Sequence, residues 1–261
     1  MERFATLYSG SSGNATFVGT ATGGILVDIG KNAKQTTLAL DQIGVDPSGI
    51  QGIFITHEHA DHIGGLRVFC SRHHIPVYAS LGTLDALDAA GHLNGDFPVF
   101  QMLDFADLGD FHVEAFHTSH DCAEPMGYSI TLPSGKRVCT CTDTGFVTDQ
   151  ARAGILAADA VLLESNHDIH MLENGPYPYP LKRRILSDHG HLSNDAAADM
   201  AVELLVSGTK RIALGHLSNE NNYPELALQS SVAKLQAAGA KVGTDISLEV
   251  APRNTPLEWE V

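Results

Sequence analysis

Residues 56–62 read Thr-His-Glu-His-Ala-Asp-His, which puts His57, His59, Asp61 and His62 within six positions. Three imidazoles and a carboxylate so close together make a poor core, because buried polar groups need partners. They make a good metal site, since neutral imidazole and carboxylate suit zinc and its transition-metal neighbours. The preceding Gln51-Gly-Ile-Phe-Ile reads as a short buried strand, and Gly64-Gly65 lets the backbone turn into a helix. The four side chains are therefore expected on a loop leaving a strand end. The alternative, a cluster of surface histidines, is weakened by further ligands elsewhere in the chain.

His120 follows Phe111–Phe116, which alternates as a strand does. Asp143 ends the strand-like run from Arg137, and His216 ends Arg211-Ile-Ala-Leu-Gly. At such strand ends polar side chains can converge while apolar ones stay inside. Seven ligands are too many for one tetrahedral ion but fit two ions about 3.5–4 Å apart. We assign His57, His59 and His120 to one ion and Asp61, His62 and His216 to the other, with Asp143 bridging them. Such a pair lowers the pKa of a shared water towards ~7 and neutralises charge on phosphate oxygens. The donors admit zinc or manganese, and iron is possible.

Ligands at 57 and 216 must meet, and no linker, charge block or low-complexity stretch interrupts the chain, so 1–261 is expected to be one domain. A hydrophobic fraction of 43% fits a soluble globular protein. No run approaches the ~18 apolar residues of a membrane span. Met1-Glu-Arg-Phe-Ala-Thr-Leu-Tyr lacks a signal-peptide layout, so a cytoplasmic protein with no membrane partner is expected. Cys70, Cys122, Cys139 and Cys141 do not make a disulfide framework in a chain this long and read as small buried thiols. A net charge of −15 argues at first against a nucleic-acid partner, but two divalent ions offset it locally.

Strands are expected near 3–8, 15–19, 24–29, 52–55, 76–79, 97–100, 111–116, 126–132, 137–142, 160–163, 210–214 and 246–250. Helices are expected near 32–43, 65–74, 82–90, 148–157, 194–207 and 224–238, the first with Ala33, Leu38, Leu40 and Ile43 as apolar points. Strands first, then helix–strand alternation, suggest packed sheets with helices outside. Gly-His-Leu-Ser-Asn occurs twice, at 190–194 and 215–219, which reads as two turns whose histidines both face the site.

Several polar groups are candidates for work on a substrate. The Ser9–Asn14 loop is rich in hydroxyls and glycine N–H groups; it is either an anion-holding loop or a plain hairpin turn. In the first case Ser11, Ser12 and Asn14 face a terminal phosphate. Lys182-Arg183-Arg184 follows Tyr177 and Tyr179, each held between prolines. Rings beside cations can stack bases and steer a phosphate backbone, although such a cluster is also a common solvated helix face. His191 precedes a helix expected to be capped by Ser193, so it is either a general acid or a structural residue. Asp28, at a strand end, is expected to hold the 56–62 loop rather than bind metal.

In order, Asp28, the HxHxDH run, His120, Asp143 and His216 resemble the five motifs of the metallo-β-lactamase superfamily. Ser9-Gly-Ser-Ser-Gly-Asn14, Glu164-Ser-Asn-His-Asp168, Gly190-His-Leu-Ser-Asn194 and Gly215-His-Leu-Ser218 narrow the resemblance to the YycJ/WalJ group, over nearly the whole chain. The resemblance implies an α/β four-layer αβ/βα sandwich of two mixed β-sheets flanked by helices. It also implies a metal-dependent phosphodiesterase acting on nucleic acid, as a 5′→3′ exonuclease on DNA. Similarity to ribonuclease Z enzymes implies that Glu164 pairs with His191 to serve the leaving oxygen. Asp61, as a ligand beside the shared water, is expected to orient the nucleophile or take its proton. Roughly 70 residues between Asp143 and His216 are too few for a large inserted nuclease domain. A hydrolase of small phosphodiesters such as cyclic nucleotides is the main alternative, and a non-catalytic metal-holding accessory protein is a third.

Overall fold

Strand β1 (Glu2–Tyr8) buries every side chain from Phe4 to Tyr8, which a strand can do only when both of its faces are covered. The computed structural model, which describes residues 1–261, supplies the cover on both sides. One sheet joins β1 to β2 (Ala15–Thr20), β3 (Gly23–Val27), β4 (Ile50–Phe54), β5 (Val77–Ala79), β6 (Val99–Gln101) and β14 (Leu257–Glu260), in the order β14-β1-β2-β3-β4-β5-β6. The other contains β7 (Phe105–Leu108), β8 (Phe111–His117), β9 (Met126–Thr131), β10 (Arg137–Cys141), β11 (Ala160–Glu164), β12 (Arg211–Gly215) and β13 (Ser247–Val250), in the order β13-β12-β11-β10-β9-β8-β7. Both sheets are mixed. Each starts as an antiparallel meander and continues with parallel strands from β4 and from β11 onward.

Alternation along the strands sorts the core into layers. Val138, Ala160, Leu162 and Ala213 point between the sheets, where they meet Phe4, Val18 and Phe54 of the first sheet. The intervening Cys139, Cys141, Val161, Leu163, Ile212 and Leu214 point outward, against α5 (Asp149–Ile155), α8 (Asn194–Ser207) and α9 (Pro224–Ala237). On the first sheet α1 (Ala33–Gln42), α3 (Leu66–His73) and α4 (Leu81–Ala89) form the outer layer with Leu40, Leu66, Phe69 and Leu87. The result is the four-layer sandwich implied by the family resemblance. The Tyr128 hydroxyl ties the sheets together by donating to Ile55 O at 2.7 Å.

Some features differ from expectation. In α1 the buried stripe is Ala33, Thr36, Ala39 and Leu40, and Leu38 is 51% exposed. Strands β7 and β14 and the short helices α2 (Ala60–Ile63), α6 (Ile169–Asn174) and α7 (Tyr179–Ile185) were not anticipated. Each is too short to display a clear period. β14 is held by pairing with β1, Trp259 opposite Phe4. All four cysteines are free, and burial pushes the Cys70 thiol up to about 12, which makes it a packing group. No helix is long and apolar enough to cross a membrane.

Candidate metal centre

Six strand ends supply the site. Asp28 follows β3, the HxHxDH loop follows β4, and His120 lies beyond β8. Asp143 lies beyond β10, Glu164 is the last residue of β11, and His216 follows β12. Asp28, Asp143 and His216 have φ of 61°, 57° and 55°. This left-handed region is uncommon for residues with a side chain and costs on the order of 1–3 kcal/mol each. All three carry polar groups into one cluster, so the strain coincides with the site.

Asp28 organises the first half. Its Oδ1 accepts from Thr56 N and its Oδ2 from Thr56 Oγ1 and His62 Nδ1, each at 2.8 Å. His62 is thereby fixed with Nε2 facing the cluster. Asp28 thus holds the loop, as expected. Gly30 is required beside it: a Cβ there would lie 1.7 Å from Asp61 O.

Glu164 organises the second half. It is fully buried, and its Oε1 accepts from His191 Nδ1 at 2.8 Å and His216 Nδ1 at 2.9 Å. Its Oε2 accepts from Thr144 N and Leu192 N. The implied Glu164–His191 pair is present, and the same oxygen also orients His216. The two Gly-His-Leu-Ser-Asn copies therefore deliver their histidines to one carboxylate. His120 donates Nδ1–H to Gly190 O at 2.9 Å, and His57 Nδ1 lies 3.0 Å from Thr56 Oγ1. Each Nδ1 contact leaves Nε2 turned inward.

The structure brings all seven sequence-designated ligands together. The ligand atoms of His57, His59 and His120 lie within 4.8 Å of one another, and so do those of Asp61, His62 and His216. Asp143 stands between the groups, 3.4 Å from His62 Nε2, 3.4 Å from His216 Nδ1 and 3.8 Å from His120 Nε2. His57 Nε2, His216 Nε2 and Asp143 Oδ2 are buried with no hydrogen-bond partner. Unpartnered buried polar atoms are costly, and three of them spread over the two adjoining groups fit divalent metal ions.

The protein's own charges set the protonation states that the ions would meet. Burial opposes ionisation of Asp61 and Asp143, but His216 and His62 outweigh it and hold both carboxyls below the usual range. Burial likewise opposes ionisation of Glu164, and His191 and His216 overcome it. Burial disfavours the His62 cation, yet Asp143 and Asp28 raise its pKa to about 9. Burial pushes His57 and His120 down, keeping them in the neutral form that ligates.

A cavity of about 430 Å³ opens over the cluster. Its walls include Asp61, His120, His191 and His216 on the polar side and Tyr177, Leu181 and Ile185 on the apolar side. Of the expected substrate-binding residues, Ser11 lines the cavity and Ser12 is exposed at the loop tip, accepting from Lys31 Nζ at 3.1 Å. Three expectations need correction. Asn14 is buried rather than facing outward: its Oδ1 accepts from Gly10 N, and its Nδ2 lies 3.0 Å from His62 Nε2. Lys182 is turned away, its ammonium capping the carbonyls of Glu173 and Gly175. Arg183 is exposed but is not part of the wall. The helical turn of α7 instead presents Arg184, whose guanidinium makes a two-point pair with Asp121. Asn166 and Ser218 also line the cavity. Both lie in motifs that had been singled out, the 164–168 run and the second Gly-His-Leu-Ser-Asn copy, which could have marked them.

Residues 24–216 match the description "Beta-lactamase superfamily domain". The chain is 42% identical over 245 residues to exodeoxyribonuclease YycJ of Bacillus anthracis, covering 92% of this chain and 91% of that protein. It is 38% identical over 250 residues to exodeoxyribonuclease WalJ of Streptococcus pneumoniae, covering 94% and 93%. Among solved structures, the metallo-β-lactamase fold protein YhfI from Bacillus subtilis superposes with a TM-score of 0.73 at 15% identity, covering 99% of this chain and all of that one. With its fold, its strand-end cluster of His and Asp and these full-length matches, the chain belongs to the β-lactamase superfamily, in the group that contains YycJ and WalJ.

Proposed function

We propose that the protein is a dinuclear metal-dependent phosphodiesterase that trims DNA as a 5′→3′ exonuclease. The observation that carries this reading is the full-length similarity to exodeoxyribonucleases combined with a cavity in which the ligand cluster and the Glu164–His191 pair meet. We further propose that residues 1–261 act as one domain, since both sheets contribute to the cluster, and that the protein works in the cytoplasm.

His57, His59 and His120 would hold one divalent ion and Asp61, His62 and His216 the other, with Asp143 between them. Zinc or manganese suits these donors, and iron also fits. When bound, such ions act as Lewis acids and supply a nucleophile at neutral pH. The chain's own residues do the rest. Asp61, in the cavity wall, orients the attacking water or takes its proton. Arg184 holds oxygens of the phosphate that is cut, and Ser11 and Ser12 face the backbone phosphate beside it. Glu164 fixes the His191 Nδ1–H, so that Nε2 faces the cavity and can give a proton to the leaving 3′-oxygen. Tyr177, Leu181 and Ile185 offer the terminal base an apolar wall.

Single-stranded DNA labelled separately at each end and incubated with metal-loaded protein tests the reading. Early release of labelled 5′ mononucleotides supports it. Internal cuts, or release only from the 3′ end, would refute the direction. Turnover of cyclic nucleotides with the DNA left intact would favour the small-substrate alternative.

A further inference from the structure

The Ser9–Asn14 loop is flanked on both sides by cationic side chains. The Lys31 stem passes over Gly13, where a Cβ would stand 2.7 Å from its Cδ, and its ammonium donates to Ser12 Oγ at 3.1 Å. Arg253 covers Gly10, where a Cβ would stand 3.2 Å from Nη1, and its Nη2 donates to Leu217 O at 2.9 Å. The two glycines of the loop are thus the positions that let the cations approach. Arg3, Arg152, Arg184 and Lys234 each pair with a carboxylate, whereas neither Lys31 nor Arg253 has one within ion-pair distance. In a chain of net charge −15, two cations with no carboxylate partner thus flank one short loop from opposite sides. The exposed Ser11 and Ser12 lie between them, and Ser11 is also part of the cavity wall.

We propose that Lys31, Arg253 and the Ser11–Ser12 hydroxyls form a second phosphate subsite, which holds the phosphodiester adjoining the one that is cut. The strand then runs out of the cavity and over the loop. This rests on the nucleic-acid reading above. A phosphodiester carries one full negative charge and oxygens that accept from ammonium, guanidinium and hydroxyl groups together. Such contacts position the backbone without reading bases, so the subsite serves a strand of any sequence. It adds nothing for a substrate with a single phosphate.

The test compares Lys31→Gln, Arg253→Gln and the double variant with wild type, all full-length and metal-loaded. Substrates are a labelled single-stranded oligonucleotide and bis(p-nitrophenyl) phosphate. The double variant is expected to raise KM for the oligonucleotide about tenfold, and each lost cation to flatten the log–log salt dependence by about 0.7. The ratio of kcat/KM on the oligonucleotide to that on the ester falls accordingly. A wild-type KM and salt slope in the double variant would overturn the subsite, as would parallel losses on both substrates. If wild type cleaves the ester but leaves every oligonucleotide intact, the nucleic-acid reading itself fails, and the subsite with it.

Discussion

Replacing Glu164 by Gln keeps the volume of the side chain and changes only its hydrogen-bonding capacity. The carboxylate accepts from four donors: Thr144 N and Leu192 N at one oxygen, His191 Nδ1 and His216 Nδ1 at the other. The glutamine amide has one acceptor oxygen, and its nitrogen must face two of those four donors. Each buried donor left unpaired costs about 1–3 kcal/mol, so the variant should be about 2–6 kcal/mol less stable. Either orientation of the amide also hurts the site. If the nitrogen faces the imidazoles, His191 and His216 lose their anchor; if it faces the backbone, the Thr144 turn beside Asp143 is disturbed. Loss of such an orienting partner typically lowers activity or metal affinity about 10–100-fold. Urea titration and steady-state hydrolysis of a phosphodiester measure the two effects. A midpoint unchanged from wild type together with kcat within about twofold would refute the reasoning, because a four-donor acceptor could then be replaced without consequence.

Four further perturbations probe other parts of the structure. His191→Ala should slow hydrolysis of DNA by about 10²–10⁴-fold but affect p-nitrophenyl esters far less, since their leaving group needs no proton; equal losses would count against an acid role. Gly30→Ala should cost about 3 kcal/mol or more, because the new methyl meets a backbone carbonyl. Gly44→Ala, strained at φ +68° but with open space around it, should cost about 1–2 kcal/mol, so the reverse ranking in thermal melts would contradict the packing described here. Because neighbouring carboxylates raise His62 to about 9 and hold His216 well above its usual range, metal binding at pH 7.5 must expel ring protons, and metal affinity should rise with pH. Calorimetry in buffers of different ionisation enthalpy reads this directly, and a heat independent of buffer would exclude it.

The clustering of the seven His and Asp residues was legible in the sequence because metal chemistry needs particular side chains and strand ends bring them together. His57 to His62 are local, and the strand patterns before His120, Asp143 and His216 gave their placement. Glu164 was legible only through resemblance. Its second partner, His216, depends on β11 and β12 lying side by side, with Glu164 opposite Gly215, and single-sequence patterns do not give strand order. The substrate wall was the least legible part. The basic run 182–184 was visible, but which cation reaches the cavity depends on the phase of α7, a seven-residue helix capped by prolines rather than by an apolar stripe. Asn14 looked like an anion donor because its loop is polar, yet the unpaired Gly10 N–H draws its carbonyl inward. Leu38 was assigned to the core by its position in an apolar spacing, and Thr36 took that place by bonding the Lys31 and Asn32 carbonyls at the start of α1.

The decisive experiment is to strip the protein of metal with a chelator and return zinc or manganese stepwise. Bound ions are counted per chain while release of 5′ mononucleotides from labelled DNA is followed, with Asp61→Ala alongside. Activity that appears as the second ion fills, and that is absent throughout in a folded Asp61→Ala protein, is the expected result. Full activity with one ion per chain, DNA cleavage by the stripped protein, or an active Asp61→Ala variant would contradict a two-metal phosphodiesterase at this site.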